Sequence, residues 1–433
     1  MSRTFPFPLL LLSLLCSAGL LTAQNADNDA LRPTTEELKA RIDALQKAQE
    51  AETKRQNEAI EALPKRLQQA ENAMAAGRAE LAAPAADAKA GTAPAKLVAQ
   101  SALPDISLNA DVLAHYSSDG DTDDDPRKFR VREVELGFSG AVDPYGKYNL
   151  VFSLSEDKPD QWGVDVEEAY FTYDNLPGDL QAKIGKFRAD FGKANPTHLH
   201  AVPWVDYPLV VRNYFGDEGL KGTGASLSWL VPNPWDHYLE LTAEVFDNDN
   251  ETLFAGGQST AVAGLLHLKN FWDVGSTGTL EFGLSGAGGP NDAGHGGENS
   301  WIEGTDLTYR WHPAGAGRYE ALELRGEIMT ARKDEPKPGR PEDSWGAYAS
   351  ADYRFAQRWD VGVRYDYAET PDDRTDHESD YSVYLTFEQT EFAFWRLGYS
   401  FQDPNYGPDE DKGKQLIYLQ FNITLGVHPA HSY

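Results

Sequence analysis

The side chains whose type and spacing most suggest metal chemistry are two histidines separated by a single residue, His198 and His200. Imidazole nitrogens bind transition metal ions well. Two ligands are weak evidence for a site, however, and the neighbouring sequence offers no third. We therefore expect these histidines to be surface or pore-lining residues, and we assign no metal and no other cofactor to the chain.

An acidic run at residues 119–125 resembles a calcium-binding loop at first sight. It fails the EF-hand pattern, because Asp124 stands where glycine is needed and Arg130 stands where the closing glutamate is needed. Loose cation binding remains open for this run, and a solvated acidic loop is the plainer interpretation. The sequence has no Gly-x-Ser-x-Gly, no His-Glu-x-x-His and no phosphate-cradling glycine loop. We expect no enzymatic activity.

The charge is very unevenly distributed. The chain has 39 Lys and Arg against 68 Asp and Glu, a formal net charge of −29, and residues 1–103 hold 12 of each sign. The whole excess of acid therefore lies in residues 104–433. No basic patch is available to release phosphate counterions, so nucleic-acid binding is disfavoured.

The N-terminal residues predict export followed by a helical segment. Arg3, an apolar stretch at 9–15 and a small residue at Ala23 predict a signal peptide over 1–23. Cys16 raises the alternative of a lipoprotein, but Leu15 occupies a position where a small residue is needed. Residues 24–82 predict a periplasmic, weakly coiled-coil helix, with an Ala/Pro linker at 83–103. Self-association, a single solvated helix and contact with another envelope component all remain open for the helix.

From about residue 105 the apolar period changes from helical to two. In the final run, Ile417, Leu419 and Phe421 alternate with polar residues over about eleven positions, the length of a tilted transmembrane strand. We count about sixteen such runs, with short turns at one end and long polar loops at the other. The long loops are predicted at about 117–127, 190–218, 247–258, 287–299, 332–343, 370–379 and 402–414. Residues 104–433 therefore predict an all-β antiparallel transmembrane barrel of the bacterial outer membrane; a soluble β-sandwich or propeller is the alternative.

Three stretches within this region, residues 129–140, 168–173 and 184–192, are similar to motifs of the phosphate-selective porin O and P family. The resemblance implies a trimeric barrel of sixteen strands, a third loop folded inward, and anion passage along basic side chains. Glu133 follows Arg132 at a point where the family often has two basic residues.

Strand alternation predicts which charges face the lumen. Leu324 and Ile328 should face lipid, so Arg325 between them should face inward. The same reasoning gives four channel-lining arginines, which are Arg325, Arg354, Arg364 and Arg396. They could pass an anion along, but ion pairing with neighbouring carboxylates is the interpretation we favour.

The loop at residues 190–218 is longer than a simple connection between two strands requires, and we expect it to fold into the lumen. The predicted constriction residues, in this loop and its approach, are Lys186, Arg188, Lys193, His198, His200 and Arg212.

We predict passive diffusion of small hydrophilic solutes and ions, with weak ion selectivity, a slight preference for anions and no tight phosphate site. The alternative is a non-conducting protein that links the outer membrane to another envelope layer. The expected partners are outer-membrane lipid, small ions and further copies of this chain as a homotrimer.

Overall fold

A computed structural model describes residues 104–118, 129–158, 161–235, 237–247, 250, 252–254, 262–291, 298–337, 340–407 and 413–426. The predicted signal peptide, helical segment and linker, and the acidic run at 119–125, lie outside these residues.

The described chain forms a closed antiparallel barrel in which each strand pairs with its neighbours in sequence and β1 pairs with β16. The prediction of about sixteen strands is confirmed. The strands are β1 Asp105–Ser117, β2 Phe129–Asp143, β3 Gly146–Lys158, β4 Gln161–Leu176, β5 Leu180–Arg188, β6 Lys221–Leu230, β7 Tyr238–Asp247, β8 Val262–Val274, β9 Gly278–Pro290, β10 Asn299–Trp311, β11 Ala321–Lys337, β12 Arg340–Ala356, β13 Trp359–Glu369, β14 His377–Thr390, β15 Ala393–Pro404 and β16 Lys414–Gly426.

Helix is scarce in the described part of the chain. A short 3-10 helix at Leu199–Ala201 and one α-helix, α1 at Leu209–Phe215, both lie between β5 and β6. No helix within the described ranges has the length and apolar character needed to cross a bilayer.

Period-two alternation separates the two faces of the wall. On β13, Val363 and Tyr365 are 50% and 42% exposed on the outside, whereas the alternate residues Arg364 and Asp366 are buried on the inside. Successive strand residues point to opposite faces, so an apolar outer surface necessarily carries a polar inner one. Closure between β1 and β16 removes the free edges, and Asn109 and Asn422 exchange side-chain hydrogen bonds across this seam at 3.1 and 3.0 Å.

One predicted loop is wrong. Residues 332–343 are mostly strand, because β11 continues to Lys337 and β12 begins at Arg340, each with 17 residues. Paired residues continue along this extension, and Arg332 lies 3.1 Å from Asp343 across it. The many charged residues of this stretch suggested a loop. Opposite charges on facing strands also stabilise strand pairing, however, and the stretch is therefore strand.

Two β-bulges turn consecutive side chains toward the lumen. The register of β2 against β1 shifts by one residue at Arg132, and that of β4 against β3 shifts by one residue at Glu167. An extra residue in a strand re-aims the side chains beside it. Arg132 and Glu133, and likewise Glu167 and Glu168, can therefore both avoid the lipid face.

Candidate functional site

The segment between β5 and β6, residues 189–220, folds into the barrel, as the sequence predicted; we call it the inward loop. Its aromatic side chains make a hydrophobic core inside the lumen, with Trp204, Tyr214 and Phe191 fully buried. Trp204 packs edge-to-face on Tyr348 of β12, with ring centroids 5.3 Å apart. The loop therefore packs against the inner wall.

Carboxylates of the wall accept hydrogen bonds from backbone amides of the inward loop. Glu327 on β11 accepts from the amides of Lys193 and Ala194 at 2.9 and 2.6 Å. Asp366 on β13 accepts from the amide of Leu209, at the start of α1, at 3.0 Å. Hydrogen bonds to charged groups are stronger than neutral ones. The buried acids thus satisfy loop amides that would otherwise lack partners.

Arginines of the wall donate to backbone carbonyls at the centre of the same loop. Arg396 donates to the carbonyl of Trp204. Arg132 donates to the carbonyl of Val205 at 2.6 Å, and Arg364 donates to that of Asp206 at 2.7 Å. Consecutive carbonyls at residues 204–206 are therefore bound by guanidinium groups from β15, β2 and β13.

The four predicted channel-lining arginines differ in their surroundings. Arg325, Arg354 and Arg396 line a cavity of about 660 Å³ at the short-turn end of the barrel, which we call the wide cavity. Arg364 lies beneath the loop, 1% exposed, with its Nε 2.6 Å from Asp366 and its guanidinium 5.0 Å from the Trp204 ring. Their role in solute passage stays a prediction.

Every one of these arginines has a protein acceptor. Arg325 pairs with Glu323 on its own strand. Arg354 reaches Asp360 across the β12–β13 hairpin at 2.9 Å. The favoured interpretation, ion pairing with neighbouring carboxylates, fits these contacts, but loop carbonyls as arginine partners were not foreseen.

The predicted constriction residues are brought together only in part. Lys186 contacts Asp165 of β4 at 3.4 Å, away from the inward loop. Arg188 donates to the carbonyl of Glu218 at 2.7 Å. Arg212 donates to the carbonyl of Tyr207 at 3.2 Å within the loop.

Lys193 binds Glu281 of β9 at 2.8 Å and lines a second cavity, of about 310 Å³, that we call the narrow cavity. Burial lowers the pKa of Lys193 to about 8, although Glu281 favours its charged form. Repulsion from Lys269 and Arg310 acts in the same direction as burial. Lys193 can therefore change its charge near neutral pH.

The two histidines meet wall carboxylates rather than solvent. His200 Nδ1 lies 2.9 Å from Glu135 of β2, and His198 Nδ1 lies 3.5 Å from the same oxygen. His198 also contacts Glu167 and Glu168 of β4, at 3.1 and 3.3 Å. Burial alone would lower the pKa of His198, but the charge of Glu135 and hydrogen bonds with these carboxylates raise it well above its ordinary value.

Sequence reasoning missed Glu135, Glu167 and Glu168. A signal was present, because two adjacent acids in a period-two strand would place one of them in lipid. Such a pair predicts a bulge, and the bulge at Glu167 is the structural solution.

The charges that line the cavities are close to balance. The narrow cavity has four basic residues against four acidic ones, and the wide cavity has three against five. A third cavity, of about 410 Å³ toward the long loops, has four against four. The basic members of the three linings are Lys183, Arg188, Lys193, Lys269, Arg325, Arg354, Arg396, Arg130, Arg132, Arg212 and Lys414.

Comparison with known proteins gives both a family and a fold. Residues 106–264 match the family model described as phosphate-selective porin O and P. An uncharacterized protein of Aquifex aeolicus (strain VF5) is 30% identical over 369 residues, covering 77% of this chain and 76% of that protein. Two solved structures are similar in fold at low identity. OprB of Pseudomonas putida, at high pH, has a TM-score of 0.53 and 11% identity over 76% of this chain and 96% of its own. The outer membrane channel DcaP of Acinetobacter baumannii has a TM-score of 0.51 and 10% identity over 78% and 100%.

Proposed function

This chain belongs to the phosphate-selective porin O and P family and is an outer-membrane porin for passive diffusion, and from that premise we propose that its pore is weakly ion-selective and has no tight phosphate site. Solute passes down its gradient without a chemical step, and we extend the proposal to the absence of any catalytic activity. The observation that carries the proposal is the pairing of the lumen arginines.

Tight anion binding needs guanidinium groups whose forked donors are available to the anion. Arg364 and Arg396 direct donors at the carbonyls of Asp206 and Trp204, and the former also pairs with a buried carboxylate. Arg325 and Arg354 face the wide cavity but are paired with acids. A phosphate ion would have to displace those partners, and that cost opposes binding.

The balance of charge along the cavity linings also argues against strong selectivity. Fixed charges at close range dominate ion passage, whereas charges beyond a Debye length of about 8–10 Å are largely screened. The nearly equal numbers of acids and bases in the three cavities therefore favour small neutral and zwitterionic solutes as well as salt. They do not support the slight anion preference that the sequence suggested.

Trimeric assembly and a periplasmic N-terminal segment complete the proposal. The family resemblance supports a trimer. Short turns of outer-membrane barrels face the periplasm. The N-terminal strand β1 begins at Asp105, beside Ser139 of β2 near its short turn, and this position supports the proposal of a periplasmic segment ahead of β1.

The test is chloride current through the purified protein in a planar bilayer while phosphate is added at constant ionic strength. We expect single-channel conductance steps and no block at phosphate concentrations far below that of chloride. A strong block at low phosphate would contradict the proposal, and pure, folded protein that gives no steps would favour the non-conducting alternative. The variant R325Q is the matched probe, because a phosphate site in the wide cavity would lose its block with that change.

A further inference from the structure

We propose that His198 and His200 of the inward loop, together with Glu135 and Glu167 of the wall, form a structural site for a divalent transition metal ion. All four residues are buried, at 3–8% exposure. The site joins the inward loop to strands β2 and β4. The argument for the site does not use the ion selectivity of the pore, so the proposal stands whether or not the pore is selective.

The spacing of the ligand atoms suits a small tetrahedral ion. Metal–ligand bonds of about 2.0–2.1 Å imply ligand–ligand separations of roughly 3.3 Å in a tetrahedral zinc site. Glu135 Oε1 lies 2.9 Å from His200 Nδ1 and 3.5 Å from His198 Nδ1. Glu167 Oε2 lies 3.1 Å from that same His198 nitrogen. One ligand atom from each of Glu135, His198 and His200 fits within 4.8 Å of the others.

The outer contacts of His198 are those of a metal-bound imidazole. When Nδ1 faces the ligand cluster, Nε2 lies 3.3 Å from Glu168 Oε2. A ligating histidine commonly donates its second ring N–H to a carboxylate, which fixes the tautomer and the ring orientation. Glu168 is itself held, because it accepts from the backbone amide of Arg188 and the side-chain amide of Asn149, both at 3.2 Å.

The negative charge of the buried carboxylates around the site also favours a bound cation. Three buried carboxylates, Glu135, Glu167 and Glu168, surround one imidazole. Among the described residues, Arg188 is the arginine or lysine in ion-pair contact with them, at 4.0 Å from Glu167. Metal binding requires both imidazoles to be neutral, and the three carboxylates with Arg188 then leave two negative charges, which match one divalent ion.

Mixed nitrogen and oxygen ligands identify the class of ion. Imidazole favours zinc, nickel, copper or cobalt, whereas calcium and magnesium prefer oxygen ligands alone. Protein ligands that fill the coordination sphere are typical of structural rather than catalytic sites. The bound ion would hold residues 198–200 against the wall, where the β4 bulge supplies adjacent carboxylates.

The experiment measures Zn²⁺ binding to the folded full-length protein, purified without a polyhistidine tag, by titration calorimetry. We expect one Zn²⁺ per chain, no displacement by excess Ca²⁺, and a tetrahedral visible spectrum when Co²⁺ replaces Zn²⁺. The H200N and E135Q variants should each lose affinity by at least about 100-fold, and E168Q by about 10- to 100-fold. The H267N variant is the control, because His267 is a buried lumen histidine that contacts Ser285 instead.

Three results would overturn the proposal: no Zn²⁺ binding by the wild-type protein, equal affinity in H200N, or ready displacement by Ca²⁺. The last would mean that oxygens alone hold the ion. If the variants fail to fold, the site can be tested in the wild-type protein by modifying its histidines with diethyl pyrocarbonate, with and without Zn²⁺. Zn²⁺ must then protect His198 and His200 and leave His267 unprotected, and equal modification with and without Zn²⁺ would refute the site.

Discussion

At the scale of single residues, charged side chains of the lumen form hydrogen bonds with the protein's own backbone. Glu327 and Asp366 accept from loop amides, and Arg132, Arg364 and Arg396 donate to loop carbonyls. Such contacts satisfy a loop that crosses the barrel without sheet partners of its own. A strongly acidic barrel is therefore compatible with weak selectivity, because many of its charges are already paired.

Removal of Arg364 should destabilise the barrel far more than removal of Arg354. The R364Q variant leaves Asp366, which is fully buried, without its guanidinium, and breaking a buried pair costs about 3–5 kcal/mol. Arg354 and Asp360 are 27% and 25% exposed, so R354Q should cost only about 0–1 kcal/mol. Urea unfolding in lipid vesicles measures both, and equal losses would mean that Arg364 does not hold the loop.

Raising the pH from 7 to 9 should move the pore toward cation preference. The pKa of Lys193 is lowered to about 8 by burial, so its ammonium is mostly charged at pH 7 and mostly neutral at pH 9. The narrow cavity then loses one positive charge. Reversal potentials at the two pH values measure the change.

The K193Q variant should reduce that shift, whereas K147Q, at a lysine 59% exposed near a short turn, should retain it in full. An identical pH shift in K193Q would assign the titration to another group.

At the scale of elements, sequence periodicity predicted what depends on local pattern. It identified the sixteen strands and the inward position of Arg325, because alternation against lipid is a strict rule. It also predicted the inward loop from its length. The extension of β11 and β12 beyond residue 332 was missed. Strands that extend beyond the lipid need no apolar face, so their sequences do not alternate between apolar and polar residues.

The partners of the site residues were beyond the reach of sequence. His200 and Glu135 are 65 residues apart and meet only because the loop returns to the wall at β2. Contacts of that kind depend on barrel closure and loop path, which no local pattern encodes. Adjacent charged residues, Arg132 with Glu133 and Glu167 with Glu168, were the signs of the two bulges in the sequence.

A charge placed on the outer face of β13 should be costly. Val363 is half exposed and lies between lumen-facing neighbours, so V363R puts a guanidinium into lipid. Such a change costs about 2–4 kcal/mol near the bilayer midplane. The control E320R lies in the turn between β10 and β11 and should change stability by no more than about 0.5 kcal/mol. Unfolding of both variants in vesicles tests the face assignment, which fails if V363R is as stable as the wild type.

At the scale of the whole molecule, the barrel is expected to assemble without the segment that precedes it. The apolar stripe predicted for residues 24–82 is broken, so it should assist trimer formation without being required for it. Deletion of residues 24–97 should leave heat-modifiable trimers on a gel. A deletion variant found only as folded monomers would show instead that the segment drives assembly.

We propose that the paired lumen charges of this barrel make a weakly selective channel with no strong preference for anions. The most direct measurement is the reversal potential across a tenfold potassium chloride gradient in a planar bilayer. Perfect selectivity would give roughly 59 mV of either sign, and we predict less than about a third of that. A value near the anion limit would mean that the arginines are available to solutes. A value near the cation limit would mean that unpaired acids control the constriction, and either result would contradict the account.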